Sequence, residues 1–222
     1  MICELSQHTI ISLEFFNIID INIVMSNSCN MNCHDTGYLE LFVGPMWSGK
    51  TSELVRLYKQ FSYCDITILA INYEHDKRYS TTAISTHDKR EIPCIHGIQL
   101  SDISNILENK LSKEFTEANV ILINEGQFFK DIVPWVKKAV DTYKKTIYIC
   151  GLDGDFKRVQ FNNWLGELIP FCDKITKLTS ICGNCKSKPA IFSHRISDEE
   201  EQEVIGNDNY IPLCRNCYNT KN

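Results

Sequence analysis

Residues 44–51 match the phosphate-binding pattern G-x-x-x-x-G-K-[ST] at every fixed position. The members of this loop are Gly44, Pro45, Met46, Trp47, Ser48, Gly49, Lys50 and Thr51. Glycine lets backbone N–H groups turn inward around phosphate oxygens, and a helix N-terminus adds partial positive charge. In such loops the lysine reaches the outer phosphates and the threonine hydroxyl ligates Mg²⁺. The pattern therefore predicts a nucleoside triphosphate site, with an ordinary glycine turn as the alternative.

A second group of residues predicts a metal centre near the C-terminus. Cys182 and Cys185 form one Cys-x₂-Cys pair, and Cys214 and Cys217 form another. Two such pairs can hold one Zn²⁺ with four thiolates, in a closed tetrahedral site whose role is structural. Disulfides are the alternative. The chain has 11 cysteines, an odd number, and no evident secretory signal, which indicates a reducing compartment and favours metal or free thiols.

An amide and a carboxylate follow an apolar run in the middle of the chain. Asn124 and Glu125 come directly after residues 120–123, where related nucleotide-binding enzymes hold Mg²⁺ or activate the acceptor. Asn124 brings no charge, so we expect it to accept only from a metal-bound water and Mg²⁺ to be held less tightly. Glu125 is a candidate general base. A solvent-exposed glutamate after a strand is the alternative.

The elements that must position these residues alternate between strand and helix. Apolar runs predict strands at 38–43, 66–71, 120–123 and 146–152, and helices are predicted at 52–58 and 131–143. Near-continuous apolar strands separated by helices indicate an α/β fold, with a mostly parallel sheet covered on both faces. In such sheets ligands bind beyond the carboxyl ends of the strands, which is where the phosphate loop lies.

Composition and charge limit the kinds of partner and the cellular location that this chain can have. The net charge of −5 argues against a general nucleic-acid binder, which carries a basic stripe. The apolar segment 10–24 is short and interrupted by polar residues, so neither a signal peptide nor a membrane span is expected. We predict a soluble, cytoplasmic protein with a disordered leader at 1–36, a nucleotide-binding domain at 37–175 and a small zinc-binding domain at 176–222.

The motifs form an ordered series that resembles the type II thymidine kinases, the cytosolic and viral group with a zinc-bearing lasso loop. The matching stretches are 44–51, 76–79, 86–88, 125–133, 152–156, 177–179 and 204–206, followed by Tyr210 and the last cysteine pair. The resemblance implies a RecA-like P-loop fold with a small zinc-binding lasso domain. It also implies ATP-dependent phosphorylation of the 5′-hydroxyl of thymidine, with deoxyuridine as a second substrate.

The resemblance assigns roles residue by residue. Glu125 matches the catalytic base, and Lys50 and Arg78 match residues that act on the transferred phosphoryl group. The donor site comprises the phosphate loop with Asp76, Lys77, Arg78, Asn124, Glu125, Gly126 and Gln127. The residues that enclose the thymine ring are Met46, Phe128, Leu152, Phe156 and Tyr210. The lasso residues that hydrogen-bond the base edge are Gln202, Glu203, Val204, Ile205 and Gly206.

Further properties follow only from the resemblance. They are a homotetramer, inhibition by thymidine triphosphate, and a place for Ser193 near the 5-methyl group of the base. The composition separately predicts no nucleic-acid partner and no membrane partner. Core packing is the alternative role for the aromatic residues. Two rival functions stay open: a P-loop ATPase with a zinc ribbon that acts on nucleic acid, and an inactive relative of the kinase, since Asn124 stands where the family typically has aspartate.

Overall fold

A computed structural model describes the chain over residues 36–76, 83–86, 88–204, 206 and 209–221. The strands, in chain order, are β1 (Tyr38–Val43), β2 (Ile68–Tyr73), β3 (Ala83–Ser85), β4 (Glu91–Pro93), β5 (Ile95–Gly97), β6 (Val120–Ile123), β7 (Thr146–Gly151), β8 (Lys174–Lys177), β9 (Ser180–Ile181), β10 (Pro189–Ala190), β11 (Phe192–Arg195) and β12 (Tyr210–Leu213). The helices are α1 (Lys50–Tyr63), α2 (Leu100–Ile103), α3 (Lys113–Glu117), α4 (Ile132–Asp141), α5 (Trp164–Leu168) and α6 (Arg215–Lys221), with 3₁₀ turns at Ile106–Glu108 and Gly126–Phe128.

The centre of the described structure is a six-stranded sheet in the order β5-β2-β6-β7-β1-β8, and all of its neighbouring strands are parallel. The four central strands are almost completely buried, as a sheet covered on both faces requires. The predicted α/β fold with a mostly parallel sheet is confirmed.

Helices cover the two faces of this sheet. Successive side chains along a strand point to opposite faces, and Ile147 and Ile149 belong to the same buried cluster as Trp135 of α4. Tyr148, which lies between them, contacts Phe61 of α1, with ring centroids 5.7 Å apart. Helix α1 therefore covers one face and α4 covers the other.

Several element boundaries differ from the sequence prediction, among them the end of α1 and the start of β2. Helix α1 extends to Tyr63. The chain then turns, and the Ile66 N–H donates to the carbonyl of Phe61 in the last turn of the helix at 3.1 Å. Cys64 and Asp65 form a turn, Ile66 and Thr67 follow it without regular secondary structure, and β2 begins at Ile68 despite the β-branched run that precedes it.

A small C-terminal module follows the sheet. It contains two antiparallel pairs, β9 with β10 and β11 with β12, and ends with α6. Its core is built by Cys182, Ala190, Leu213, Cys214, Cys217 and Tyr218. Strand β8 spans the boundary that the sequence places at residue 175, and it pairs with β1 as the last strand of the sheet.

Two sequence predictions concern the N-terminal residues: the disordered leader at 1–36 and the absence of a membrane span at 10–24. Of these residues the structure describes only Thr36. The disorder of the leader therefore stays a prediction. For the membrane, none of the helices in the described part of the chain has the length and apolar composition of a transmembrane span.

Candidate active site

The phosphate loop owes its shape to its two glycines. Gly44 comes so close to the chain entering β9 that a Cβ on it would lie 2.4 Å from the Leu178 carbonyl oxygen. Gly49 has φ 84°, a left-handed conformation that glycine adopts without strain, and α1 begins at the next residue. The loop thus joins the end of β1 to a helix N-terminus, as the motif predicts.

The lysine of the motif is buried and folded onto its own loop. Lys50 Nζ donates to the Pro45 carbonyl at 2.7 Å and lies 3.4 Å from Ser48 Oγ. Ser48 Oγ donates to the same carbonyl at 2.8 Å. An ammonium group held at the mouth of a phosphate loop can move to phosphate oxygens by rotation of its side chain alone.

Trp47 is a residue of the loop with an exposed side chain. It has φ 64°, which is uncommon for a residue with a side chain, and 41% of its surface is accessible. Backbone in this region is more often found at functional sites than elsewhere.

Glu125 lies at the carboxyl end of β6 with φ 54° and is buried. Gln127 fixes the carboxylate, because its Nε2 donates to Glu125 Oε2 at 2.6 Å while its Oε1 accepts from the Leu152 N–H at 2.9 Å. Gln127 therefore ties Glu125 to the end of β7. A buried, oriented carboxylate is what a general base requires, and the alternative of a solvent-exposed glutamate is wrong.

Asn124, beside it, is also buried and faces the phosphate loop. The Thr51 hydroxyl lies 3.4 Å from Asn124 Oδ1, and Cys150 Sγ lies 2.9 Å from the same oxygen. Burial, reinforced by the Glu125 carboxylate, raises the pKa of the Cys150 thiol to about 12. The two oxygens of Thr51 and Asn124 are the hard donors that Mg²⁺ prefers.

The loop between β11 and β12, residues 196–209, is the lasso of this chain. Arg195 and Tyr210 face each other at its base, in register. The buried Arg195 guanidinium donates to the carbonyls of Glu199, Glu201 and Gln202. It also donates to the Tyr210 hydroxyl, which donates in turn to the Val204 carbonyl at 3.0 Å.

Arg195 also stacks on an aromatic ring, with its Cζ 3.9 Å from the Phe156 ring centroid. The buried Arg195 side chain therefore binds three carbonyls of the lasso and also contacts the loop after β7. Sequence reasoning missed Arg195. An arginine outside any recognised motif cannot be told from a surface residue by sequence alone.

Two further contacts join the C-terminal module to the loops that follow β1 and β7. The Met46 N–H donates to Ser193 Oγ at 2.9 Å, across 147 residues of sequence. Gln202 Nε2 donates to Asp155 Oδ2 at 2.9 Å, and the other oxygen of Asp155 caps the backbone N–H groups of Lys157 and Val159.

These contacts enclose a cavity of about 320 Å³ between the phosphate loop, the ends of β6 and β7, and the lasso. The predicted site residues that line it are Met46, Trp47, Ser48, Gly49, Lys50, Thr51, Asp76, Asn124, Glu125, Phe128, Leu152, Phe156, Gln202, Glu203, Val204, Gly206 and Tyr210. The structure thus brings the predicted donor and acceptor residues to one cavity.

Other predicted residues lie outside the cavity lining. Four of them are described but do not line the cavity: Gly44, Pro45, Gly126 and Gln127. Three lie outside the described residues: Lys77, Arg78 and Ile205. The lining also includes residues that were not predicted as site residues, namely Ser52, Ser85, Thr86, Gly154, Asp155 and Phe161, together with Ser193. Burial raises the pKa of the Glu203 carboxyl in this wall.

The four predicted metal ligands come together in the C-terminal module. Their Sγ atoms lie within 4.8 Å of one another, and those of Cys185 and Cys214 are 3.9 Å apart. Four sulfurs about 2.3 Å from one zinc ion would be separated by roughly 3.8 Å. Asn184 Nδ2 lies 3.3 Å from Cys217 Sγ, as an outer hydrogen bond to a metal thiolate would. The cluster is compatible with zinc.

Two kinds of comparison with known proteins point to one family. The family model described as "Thymidine kinase" matches residues 37–218. The chain belongs to the thymidine kinase family. The thymidine kinase of Vaccinia virus (strain Western Reserve) is 39% identical over 183 residues, which cover 82% of this chain and 97% of that protein. The thymidine kinases of Monkeypox virus and Myxoma virus (strain Uriarra) are each 38% identical over 183 residues, covering 82% of this chain and 97% and 96% of theirs.

Membership of the family confirms the resemblance drawn from the ordered motifs, and with it the class of enzyme. A kinase uses a phosphoryl donor, in agreement with the nucleoside triphosphate site that the phosphate loop predicts. No finding favours a nucleic-acid-dependent ATPase.

Proposed function

We propose that this chain transfers the γ-phosphoryl group of ATP to the 5′-hydroxyl of thymidine. The observation that carries the proposal is the shared cavity, which is lined by Lys50 and Glu125 together with Gln202 of the lasso and Tyr210 at its base. A kinase of this kind needs the donor phosphates and the acceptor nucleoside in one enclosed space.

In the proposed reaction, the 5′-oxygen of thymidine bonds to the γ-phosphorus while the bond from that phosphorus to the β–γ bridging oxygen breaks, leaving ADP. The hydroxyl proton goes to the Glu125 carboxylate, which Gln127 holds in place. Lys50 leaves the Pro45 carbonyl and stabilises charge on the phosphoryl oxygens, with Arg78 in the same role. Lys77 and Asp76 would complete the wall of the donor site.

We assign the metal positions by the chemistry of their donors. Thr51 would bind Mg²⁺, which neutralises phosphate charge when it accompanies ATP, and Asn124 would face its water shell. Cys182, Cys185, Cys214 and Cys217 would hold Zn²⁺ as a structural ion, because four thiolates leave no open position for chemistry.

Recognition of the acceptor is assigned to two sets of residues. Met46, Phe128, Leu152, Phe156 and Tyr210 would enclose the thymine ring, and the backbone of Gln202, Glu203, Val204, Ile205 and Gly206 would bind its edge. Backbone partners that are left unpaired by a wrong base give strong discrimination. Deoxyuridine as a second substrate, inhibition by thymidine triphosphate, a homotetramer and a cytoplasmic location remain predictions.

The test is a phosphorylation assay with thymidine and ATP across a range of Mg²⁺ concentrations. Replacing Glu125 with glutamine keeps the shape of the side chain but removes the base, so we expect turnover to fall by about 10²-fold or more. Glu53→Gln is the matched control, because Glu53 lies on the solvent side of α1 and pairs with Arg56. Unchanged turnover in Glu125→Gln would remove Glu125 from its role, and ATP hydrolysis stimulated by DNA without thymidine phosphorylation would overturn the function.

A further inference from the structure

Three polar side chains form a buried row across neighbouring strands beneath the phosphate loop. Asn72, Asn124 and Cys150 follow residues that are paired in register on β2, β6 and β7, at the carboxyl ends of these strands. Their exposed fractions are 2%, 2% and 1%. A row of polar groups sealed from water must satisfy its hydrogen bonds internally, and this fixes which atom of each amide faces which neighbour.

The orientation of the Asn124 amide follows from its neighbours. Asn124 Nδ2 donates to Asn72 Oδ1 at 2.8 Å, so its Oδ1 points the other way. That oxygen receives the Cys150 thiol at 2.9 Å and faces the Thr51 hydroxyl at 3.4 Å. Both of these neighbours carry a proton that they can donate to this oxygen. An amide nitrogen on this side would instead donate to Thr51 Oγ1 and occupy a lone pair that a metal ion needs.

Asn72 is itself oriented from the other side. Its Nδ2 lies 3.5 Å from the Asp76 carbonyl, at the outer limit of a hydrogen bond, which leaves Asn72 Oδ1 as the acceptor that faces Asn124. The chain of contacts therefore runs from the Asp76 backbone through two asparagines to the threonine of the phosphate loop.

We propose that Asn72 is a positioning residue that holds the Asn124 amide with its Oδ1 toward Thr51. In that orientation Asn124 Oδ1 accepts a hydrogen bond from the Thr51 hydroxyl, and the lone pairs of Thr51 Oγ1 stay available to the metal that accompanies the nucleotide. A metal-bound water also presents only hydrogens outward, so it too needs Oδ1 and not Nδ2. The inference rests on the proposed function, because it concerns the metal side of the donor site.

The experiment measures ADP binding by the full chain in equilibrium dialysis, as a function of Mg²⁺ concentration and in EDTA. Asn72→Ala and Asn72→Leu remove the acceptor that holds Asn124. We expect the Mg²⁺ concentration for half-maximal ADP binding to rise about 3- to 10-fold, the scale of one hydrogen bond, while ADP binding in EDTA stays unchanged. Asn72→Asp keeps an acceptor oxygen toward Asn124, so it should need less Mg²⁺ for half-maximal ADP binding than the Ala and Leu variants.

Asn119→Leu is the matched control, since Asn119 precedes β6 at its other end and is exposed. Thermal unfolding of each variant checks that it is folded, and the smaller alanine serves if leucine does not fit. The same Mg²⁺ requirement in the folded Ala or Leu variant as in the unmodified chain overturns the proposal. So does an Asp variant that behaves like the Leu variant. If the unmodified chain binds no ADP at any Mg²⁺ concentration, the proposed function fails and the role of Asn72 fails with it.

Discussion

The phosphate loop and the lasso face the same cavity but are held by different kinds of interaction. The loop joins β1 to α1, and β1 has a parallel neighbour on each side, so backbone hydrogen bonds and two glycines set its position. The lasso connects the two paired strands β11 and β12, and side chains hold it in place. They are Arg195 at its base and the four-cysteine cluster of the same C-terminal module. The proposed donor half is therefore positioned by the sheet, whereas the proposed acceptor half depends on a few side chains.

The comparison predicts that damage to the phosphate loop affects catalysis without loosening the structure. Lys50→Met removes the cation that would act on the phosphoryl group, and we expect kcat/KM to fall by about 10²- to 10³-fold. The fall should lie in kcat, with the midpoint of thermal unfolding nearly unchanged. Lys59→Met is the control, because Lys59 lies on the same helix and is exposed. Retention of full kcat in Lys50→Met would show that the lysine is not part of the reaction.

Removal of the metal should instead affect only the acceptor half. In zinc-free protein, or in Cys214→Ser, we expect the Kd for thymidine to rise by about 10²-fold, which corresponds to a lasso that is closed in about one molecule in a hundred. ADP binding should be preserved. Calorimetric titration with each ligand separates the two, and Cys64→Ser is the control, because Cys64 is an exposed free cysteine after α1. Equal loss of both affinities would mean that the two halves are not independent.

The smallest of these effects is expected at the base of the lasso. Arg195→Met removes the donors to the three lasso carbonyls but leaves the metal cluster in place, so we expect the thymidine KM to rise about 10-fold with the ATP KM unchanged. Arg215→Met is the control, since Arg215 also stacks on a ring, that of Phe192, but is exposed. Steady-state kinetics decides the matter, and an Arg195 variant that changes only the ATP KM would contradict the assignment.

The same contrast explains what the sequence could predict. The phosphate loop, Glu125 and the cysteine pairs lie in short contiguous motifs whose chemistry is local, so their residues could be named in advance. Arg195 and Asn72 carry no such signal, because their importance comes from partners distant in sequence: Asn72 and Asn124 are 52 residues apart. Polar residues that satisfy one another in a core look like surface residues until the fold brings them together.

The fold shows a similar division. Central strands are continuous apolar runs, and their existence follows from the sequence even where the first residue does not. Strand β8 has the sequence Lys-Ile-Thr-Lys and three of its residues are exposed, because it is an edge strand with one neighbour. An edge strand of this kind gives little periodic signal, so the predicted domain boundary falls within it.

The exposed side chain of Trp47 has an optical consequence. The chain has three tryptophans, and Trp135 and Trp164 have exposed fractions of 0% and 1%, packed in the core of the sheet. Trp47 alone among them lines the cavity and meets solvent. The fluorescence of the Trp47 indole should therefore respond to occupancy of the phosphate loop, over the background emission of the two buried tryptophans. No dye or added label is needed to follow binding.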